Sequence, residues 1–561
     1  MKNEDSGQRK YHPLPENPPD MRRSSFILLW LLCASVWFLT LDVRDVAHPD
    51  EGRYSEISRE MAQSGDWVTP RLDGLKYFEK PPLQYWATAA VFKVFGITDF
   101  TARLWVGLCG LLALVLLWRT ARRLWDEQTA VCAAAIGAGS FYLGAMSHIV
   151  TLDMGVSFFL ACALCGFVLA HRDAATPMEN RRYMWLTWAA MAGAVLSKGL
   201  IGLVLPGAVL VLYGLICRDW RPWARMHWFS GGAIFLALAA PWHLLVASRN
   251  PEWAQFYFVH EHFQRFLTNE AHREGAWYYF VPILLAGMLP WTGWLPQALR
   301  QGWQKSPGQF QLNRFLLIWS GFIFVFFSAS GSKLPGYVLP VVPALVLLLA
   351  PVMTRISLRS LRIHATVLAV FWIAIAGAAP LFGSRGSERT PQIYNLQMSH
   401  WLLAGGICCA ALCAAAAWNA RRGLRLRALL LLSASGLGFL SFGMYGYQAY
   451  APLISSEILE NKVLPQIDAG TPLFSVGQYE QTLPFYFGRT FTLVAYTDEF
   501  ALGQAQEPDK WIPTVEEFSR RWRALPQGLA VMEPSIYRQL LAEGVPMKVL
   551  DETSRRVTVS R

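Results

Sequence analysis

The chain has 561 residues, of which 53% are hydrophobic, with 24 Trp and a mean hydropathy of +0.27. Its apolar residues gather in runs of membrane-spanning length, which excludes an ordinary soluble globular protein. The net charge of +11 is carried by arginines that punctuate those runs, the pattern that sets membrane topology, and this excludes nucleic acid as an expected partner. The nine cysteines fall in or beside apolar segments, with neither a disulfide framework nor zinc-finger spacing.

Residues 1–24 form a polar, Pro-rich start expected on the cytoplasmic side. The first apolar segment, 25–41, lacks a small-residue cleavage site after it and reads as an uncleaved span. A strongly charged stretch from His48 to Trp86 follows. Pro49 suits the first position of a short helix, with Asp50 and Glu51 in its first turn, where acids favour the helix dipole, and Gly65 closing it. Tyr54, Ile57 and Met61 would line one face and Arg53, Glu56 and Glu60 another, which predicts an amphipathic helix lying on the membrane. On local sequence alone, Asp50 and Glu51 are equally well read as helix-end acids.

Further spans are expected near 101–118, 128–147, 150–170, 183–197, 200–217, 227–247, 277–298, 315–330, 335–353, 363–382, 400–418 and 428–449, thirteen in all. The apolar stretch from Leu83 to Gly96 is shorter than the ~20 residues a spanning helix needs and is assigned as interfacial or re-entrant. Thirteen spans place the Arg119, Arg172, Arg218, Arg355 and Arg421 clusters in the cytoplasm, whereas counting the short stretch would put all of them outside. The outer face then holds the 42–100 loop, the turn around Asp153, Ser197-Lys198-Gly199, the 248–275 loop with His260-Glu261-His262-Phe263-Gln264-Arg265-Phe266, and Ser332-Lys333-Leu334-Pro335-Gly336-Tyr337. After Tyr450 hydropathy drops. Strands are predicted at 473–476, 491–494, 529–532 and 547–550 and helices at 515–525 and 534–542, a small external α/β domain over 451–561. The predicted fold is mainly α: a polytopic helical bundle over 25–450 carrying this cap.

An enzyme with its charges at the outer membrane face, where no nucleotide is available, needs a substrate activated in advance and delivered in lipid. A polyprenyl phosphate sugar meets that need. Cations must then hold the phosphate leaving group, and a carboxylate must orient the acceptor or stabilise positive charge on the sugar. Lys80, Lys198, Arg265 and Lys333 are the candidate cations, and Asp50, Glu51 and Asp153 the candidate carboxylates. Glu79 and His260 form a partial set for a structural divalent ion such as zinc, with no cofactor required for the chemistry.

Asp50-Glu51 with Arg53-Tyr54, Ser58-Arg59-Glu60-Met61, Tyr77-Phe78-Glu79-Lys80-Pro81-Pro82, Ser197-Lys198-Gly199 and Ser332-Lys333-Leu334-Pro335-Gly336-Tyr337 occur in an order that resembles the aminoarabinose transferases of Gram-negative bacteria. These are relatives of the protein O-mannosyltransferases. The resemblance implies transfer of 4-amino-4-deoxy-L-arabinose from undecaprenyl phosphate to a lipid A phosphate at the periplasmic face of the inner membrane, by a monomer, giving polymyxin resistance. It also implies that Asp50 is the essential acid and Asp153 a second one. Lys80 and Arg265 would meet the donor phosphate, with Lys198, Lys333 and Tyr337 as neighbours. The chain has Gly52 where several relatives have alanine or another residue, a change expected to loosen the helix by about 0.5–1 kcal/mol. Two alternatives stand beside it: transfer on the same scaffold of another sugar such as glucosamine, galactosamine or mannose to a lipid or protein acceptor, and, from another class, transport or flipping of polyprenyl phosphate lipids. Transporters place polar residues at mid-membrane, often in repeated halves, whereas here the charges sit in loops on one face.

Overall fold

The computed structural model describes residues 23–258 and 275–561, with side chains from Trp30 onward. Helical segments occupy all thirteen predicted positions. Among the described residues, eight helices are long and apolar enough to cross a membrane. The first nine helices are α1 (Arg23–Leu39), α2 (Asp50–Ser64), α3 (Leu83–Phe95), α4 (Asp99–Leu124), α5 (Glu127–Gly139), α6 (Phe141–Met146), α7 (Leu152–His171), α8 (Pro177–Lys198) and α9 (Ile201–Cys217). The 128–147 segment is thus two helices broken at Ser140, and 277–298 divides into Phe280–Gly287 and Leu295–Trp303. At 335–353 a 3-10 turn, Pro335–Val341, precedes the helix Val342–Arg355, because Pro335 and Pro340 withhold backbone donors there. α3 has only 13 residues and ends at Gly96, too short to cross the hydrocarbon core.

The first loop folds as α2, a small hairpin of β1 (Arg71–Leu72) and β2 (Leu75–Lys76), and α3. α2 starts at Asp50, with Pro49 one position earlier than expected, and Gly65 closes it at φ 73°. It is not the surface helix its pattern predicts. Both its apolar face and most of its charged face are buried, Glu56 and Arg59 included, because the C-terminal domain covers what the membrane bundle does not. Tyr54, Ile57 and Met61 share one apolar core with Leu72, Tyr77 and Tyr85 of the loop and Tyr479, Phe485, Leu493 and Phe500 of the C-terminal domain.

That domain is a five-stranded mixed sheet of β3 (Leu473–Val476), β4 (Thr492–Val494), β5 (Leu529–Met532), β6 (Lys548–Glu552) and β7 (Val557–Ser560), in the order β4-β3-β5-β7-β6. β3 runs parallel to β4 and β5, and β7 is antiparallel to β5 and β6. The apolar runs Leu473-Phe474 and Leu529-Ala530-Val531-Met532 are buried on both faces, one layered by helices Val515–Ala524 and Pro534–Ala542, the other by Glu457–Val463 and Leu483–Phe487. The prediction lacks β7, whose four alternating residues resemble a half-exposed terminal edge. Insertion between β5 and β6 buries Val557 and Val559 completely.

Candidate functional site

The site begins with a buried ion cluster that anchors the first loop. Arg44 holds Glu51 with two hydrogen bonds, at 2.5 and 2.8 Å, and Arg103 reaches both carboxylate oxygens at 3.1 Å. The backbone N–H groups of Ala47 (3.1 Å) and Val150 (2.9 Å) also donate to Glu51. Burial alone would raise this carboxyl, but Arg103 and Arg44 outweigh it and hold Glu51 well below the usual carboxylate range. Arg103 further caps the carbonyls of Leu41, Arg44 and Asp45. Glu51, a candidate catalytic carboxylate in the sequence, is therefore a brace whose acceptor positions are filled. Arg44 and Arg103 are absent from the sequence-level candidates. The available signal was Arg103 itself, a charge at the start of an apolar segment, which needs a partner.

One turn of chain away, a polar cavity of about 210 Å³ gathers Asp50, Arg53, Glu79, Lys80, Thr151, Asp153, Lys198 and Tyr337. Five separated segments contribute to it. Asp50 accepts from Arg53 at 2.9 Å, Lys198 pairs with Asp153, and the Lys198 ammonium lies 4.6 Å from the centre of the Tyr337 ring. Asp153 sits in the first turn of α7, not in the turn before it. Gly336 faces it so closely that a Cβ there would come within 2.5 Å of the carboxylate, so the Pro335-Gly336-Tyr337 turn can approach only as glycine. Lys80 donates to the Glu79 carbonyl at 2.8 Å. Lys333 is placed differently from expectation. Its ammonium bonds the Ser330 carbonyl at 2.7 Å, while its neighbours Ser332 and Leu334 line the cavity. Arg265 and His260 lie outside the described residues, and so does the proposed Glu79–His260 ion site. Among the described residues no three metal-ligating side chains converge.

A second cavity, about 440 Å³, adjoins the first. Arg44, His48, Asp50, Glu51 and Thr151 are its polar lining, and Phe141, Met398, Leu402, Phe439, Leu440 and Met444 make most of the remainder apolar. The last five belong to the helices Gln392–Arg421 and Arg425–Tyr447, both of membrane-spanning character. Asp50 thus stands at the border of a charged chamber, where Arg53, Lys80 and Lys198 face Asp50, Glu79 and Asp153, and a largely apolar one.

The C-terminal domain reaches this border at His48, where Arg555 lies 3.4 Å from the ring and the Ile454 carbonyl accepts the backbone N–H at 2.8 Å, and through Arg53. Glu499 accepts from Arg53 at 3.2 Å and from Gln481 at 3.1 Å, so the Asp50 partner is gripped from the far side. Further along α2, Arg59 holds Glu56 at 2.6 Å through two nitrogens and donates to the Gly488 carbonyl at 2.9 Å. Asp73, at φ 52°, accepts the Phe491 N–H at 2.7 Å. Burial raises Asp73, which that hydrogen bond offsets only in part, and burial followed by Glu56 and Asp73 raises Glu60. Gly52 also has its reason here. A Cβ would meet the Gln481 and Thr482 backbone at 2.6–2.7 Å, so glycine is set by close approach between α2 and the domain.

Comparison with known proteins agrees with this arrangement. Residues 459–561 match the aminoarabinose transferase C-terminal domain, and 24–257 match the dolichyl-phosphate-mannose-protein mannosyltransferase model. The crystal structure of ArnT from Cupriavidus metallidurans bound to undecaprenyl phosphate superposes with a TM-score of 0.91 at 34% identity, over 96% of this chain and 98% of that one. The chain belongs to the aminoarabinose transferase family. Among curated members, the undecaprenyl phosphate-alpha-4-amino-4-deoxy-L-arabinose arabinosyl transferase of Edwardsiella ictaluri is 33% identical over 350 residues, 61% of this chain and 62% of its own length. A second such transferase, from Proteus mirabilis, is 32% identical over 388 residues, 67% and 68% of the two chains. The sequence alignment thus spans somewhat under two thirds of the first relative's length, whereas the structural match to the family runs through nearly the whole chain.

Proposed function

We propose that this protein transfers 4-amino-4-deoxy-L-arabinose from undecaprenyl phosphate to a lipid A phosphate at the periplasmic face of the bacterial inner membrane, masking negative charge and giving polymyxin resistance. The observation that carries this reading is the position of Asp50 on the wall shared by a charged chamber that contains Lys80 and Lys198 and a largely apolar one. A phosphate-linked donor and a lipid-borne acceptor need such a pair. Family membership, and the undecaprenyl phosphate bound to the Cupriavidus relative, support the donor. Its phosphate is assigned to Lys80 and Lys198, with Arg265 from the 248–275 loop.

An acceptor phosphate is already anionic near neutral pH, so a general base gains little at this step. Asp50 is assigned to stabilise the positive charge that develops on the anomeric carbon, or to hold the sugar's amino group. The bond between the anomeric carbon and the donor oxygen breaks, and its electron pair leaves with undecaprenyl phosphate. An acceptor phosphate oxygen forms the new bond from the opposite face, inverting the centre without a covalent enzyme intermediate. A divalent ion shared by Glu79 and His260 would brace the first loop, and no step runs through it. Mass spectrometry of lipid A from a deletion strain, with and without this chain, tests the reading. Gain of the aminopentose mass on complementation is expected, and an unchanged spectrum under inducing conditions overturns it.

A further inference from the structure

Thr151 is the residue before α7 and occupies the helix N-cap position with extended backbone, φ −135° and ψ 163°. A threonine there ordinarily accepts a hydrogen bond from the first turn of its helix. This one does not, and its hydroxyl has no partner among the described residues although the residue is only 9% exposed. A buried hydroxyl left unpaired is destabilising, and the free N–H groups of the first turn remain uncapped beside it. The side chain lines both cavities, a position that Thr151 shares only with Asp50 among their described linings. An unpaired donor at the positive end of a 20-residue helix is suited to an anion.

We propose that the Thr151 hydroxyl donates a hydrogen bond to the acceptor phosphate and holds the attacking oxygen where the two cavities meet. This rests on the functional reading above. The acceptor is favoured over the donor by where the cations lie. Arg53, Lys80 and Lys198 line the polar cavity beside Asp50, Glu79 and Asp153, with Lys198 paired to Asp153, and Lys80 and Lys198 are the cations assigned above to the leaving phosphate. In the apolar cavity the cation is Arg44, and its guanidinium is already engaged by Glu51 and the His148 carbonyl (2.7 Å). An acceptor phosphate arriving from that side meets Asp50, which repels it, and Thr151, which can bind it. Thr151 makes no covalent bond and exchanges no proton in this role.

The test uses the full chain in lipid nanodiscs, with lipid A as acceptor and undecaprenyl phosphate-linked aminoarabinose as donor. Thr151→Val keeps the shape and removes the unpaired hydroxyl, so its thermal midpoint should hold or rise. Its KM for lipid A should rise on the order of tenfold or more, as for loss of a hydrogen bond to a charged group. Binding of undecaprenyl phosphate should be unchanged, and Thr151→Ser should restore most of the acceptor affinity. A wild-type KM for lipid A in Thr151→Val would overturn the proposal. An equal loss of undecaprenyl phosphate binding would move the hydroxyl to the donor and overturn the acceptor assignment, and a lowered midpoint in both variants would reduce it to a structural role. If the wild-type chain itself fails to modify lipid A, the functional reading falls and the acceptor role with it. Normal wild-type transfer alongside an unaffected Thr151→Val removes the Thr151 inference alone.

Discussion

Asp50 accepts a single arginine at the edge of the cavities, while Glu51, about 100° further round α2, turns into two buried guanidinium groups and two backbone donors. The two neighbouring acids should therefore fail in different ways. Asp50→Asn is expected to fold and bind donor yet lose roughly 100-fold or more in transfer rate, the scale for removing one transition-state stabiliser. Glu51→Gln strips the counter-charge from Arg44 and Arg103 and should cost about 3–5 kcal/mol of stability. Purified transfer assays beside thermal unfolding separate the two, and wild-type transfer by Asp50→Asn would make Asp50 a helix-end acid with Asp153 the next candidate. The pH dependence of the Glu51 contribution follows from its depressed value. It is fully present above the ordinary glutamate range near ~4.3 and is lost as pH falls through the folded value below that.

At the scale of elements, the contact between α2 with its hairpin and the C-terminal domain combines tight packing with buried carboxylates. Asp73 binds protons more readily folded than unfolded, where an aspartate titrates near ~3.9. Its contribution to stability is thus fully present below that value and is lost as pH rises through the raised folded one. Asp73→Asn retains an acceptor for the Phe491 N–H and tolerates φ 52°, so it should raise the thermal midpoint at about pH 8 and lose that advantage at about pH 4. An equal shift at both pH values would show that Asp73 is not titrating. Gly52→Val forces a branched side chain against the Gln481 backbone. The expected cost is about 1–3 kcal/mol, visible as earlier release of the 451–561 region in limited proteolysis.

For the whole molecule, docking requires the site and the C-terminal domain to share a side, and we propose from the arginine distribution that this is the outer face. In a background with the nine cysteines replaced, Ser330→Cys should react with an impermeant thiol reagent on intact spheroplasts while Arg359→Cys is protected. The reverse pattern would invert the topology. The apolar core shared by the first loop and the C-terminal domain also means that these two parts fold together. The family match at 459–561 marks a part of this architecture that carries Glu499, the far-side holder of Arg53.

Apolar run length and composition by themselves determined the membrane bundle, the short α3 and the change of character after Tyr450, because water and hydrocarbon sort residues by type whatever their neighbours. The motifs likewise singled out Asp50, Lys80, Asp153, Lys198 and Tyr337, which the chain brings from separated segments into one cavity. Only tertiary structure decided the rest. α2 looks amphipathic from its pattern, but no pattern within α2 shows that the C-terminal domain covers its polar face and, in this chain, packs too closely on Gly52 to admit a Cβ without a shift. Glu51 and Asp50 are chemically alike, and what separates them is the presence of Arg44 and Arg103 on one side of the helix. Hydrogen-bond partners and counter-charges come from residues distant in sequence, so the role of a buried polar group is settled by the fold that surrounds it.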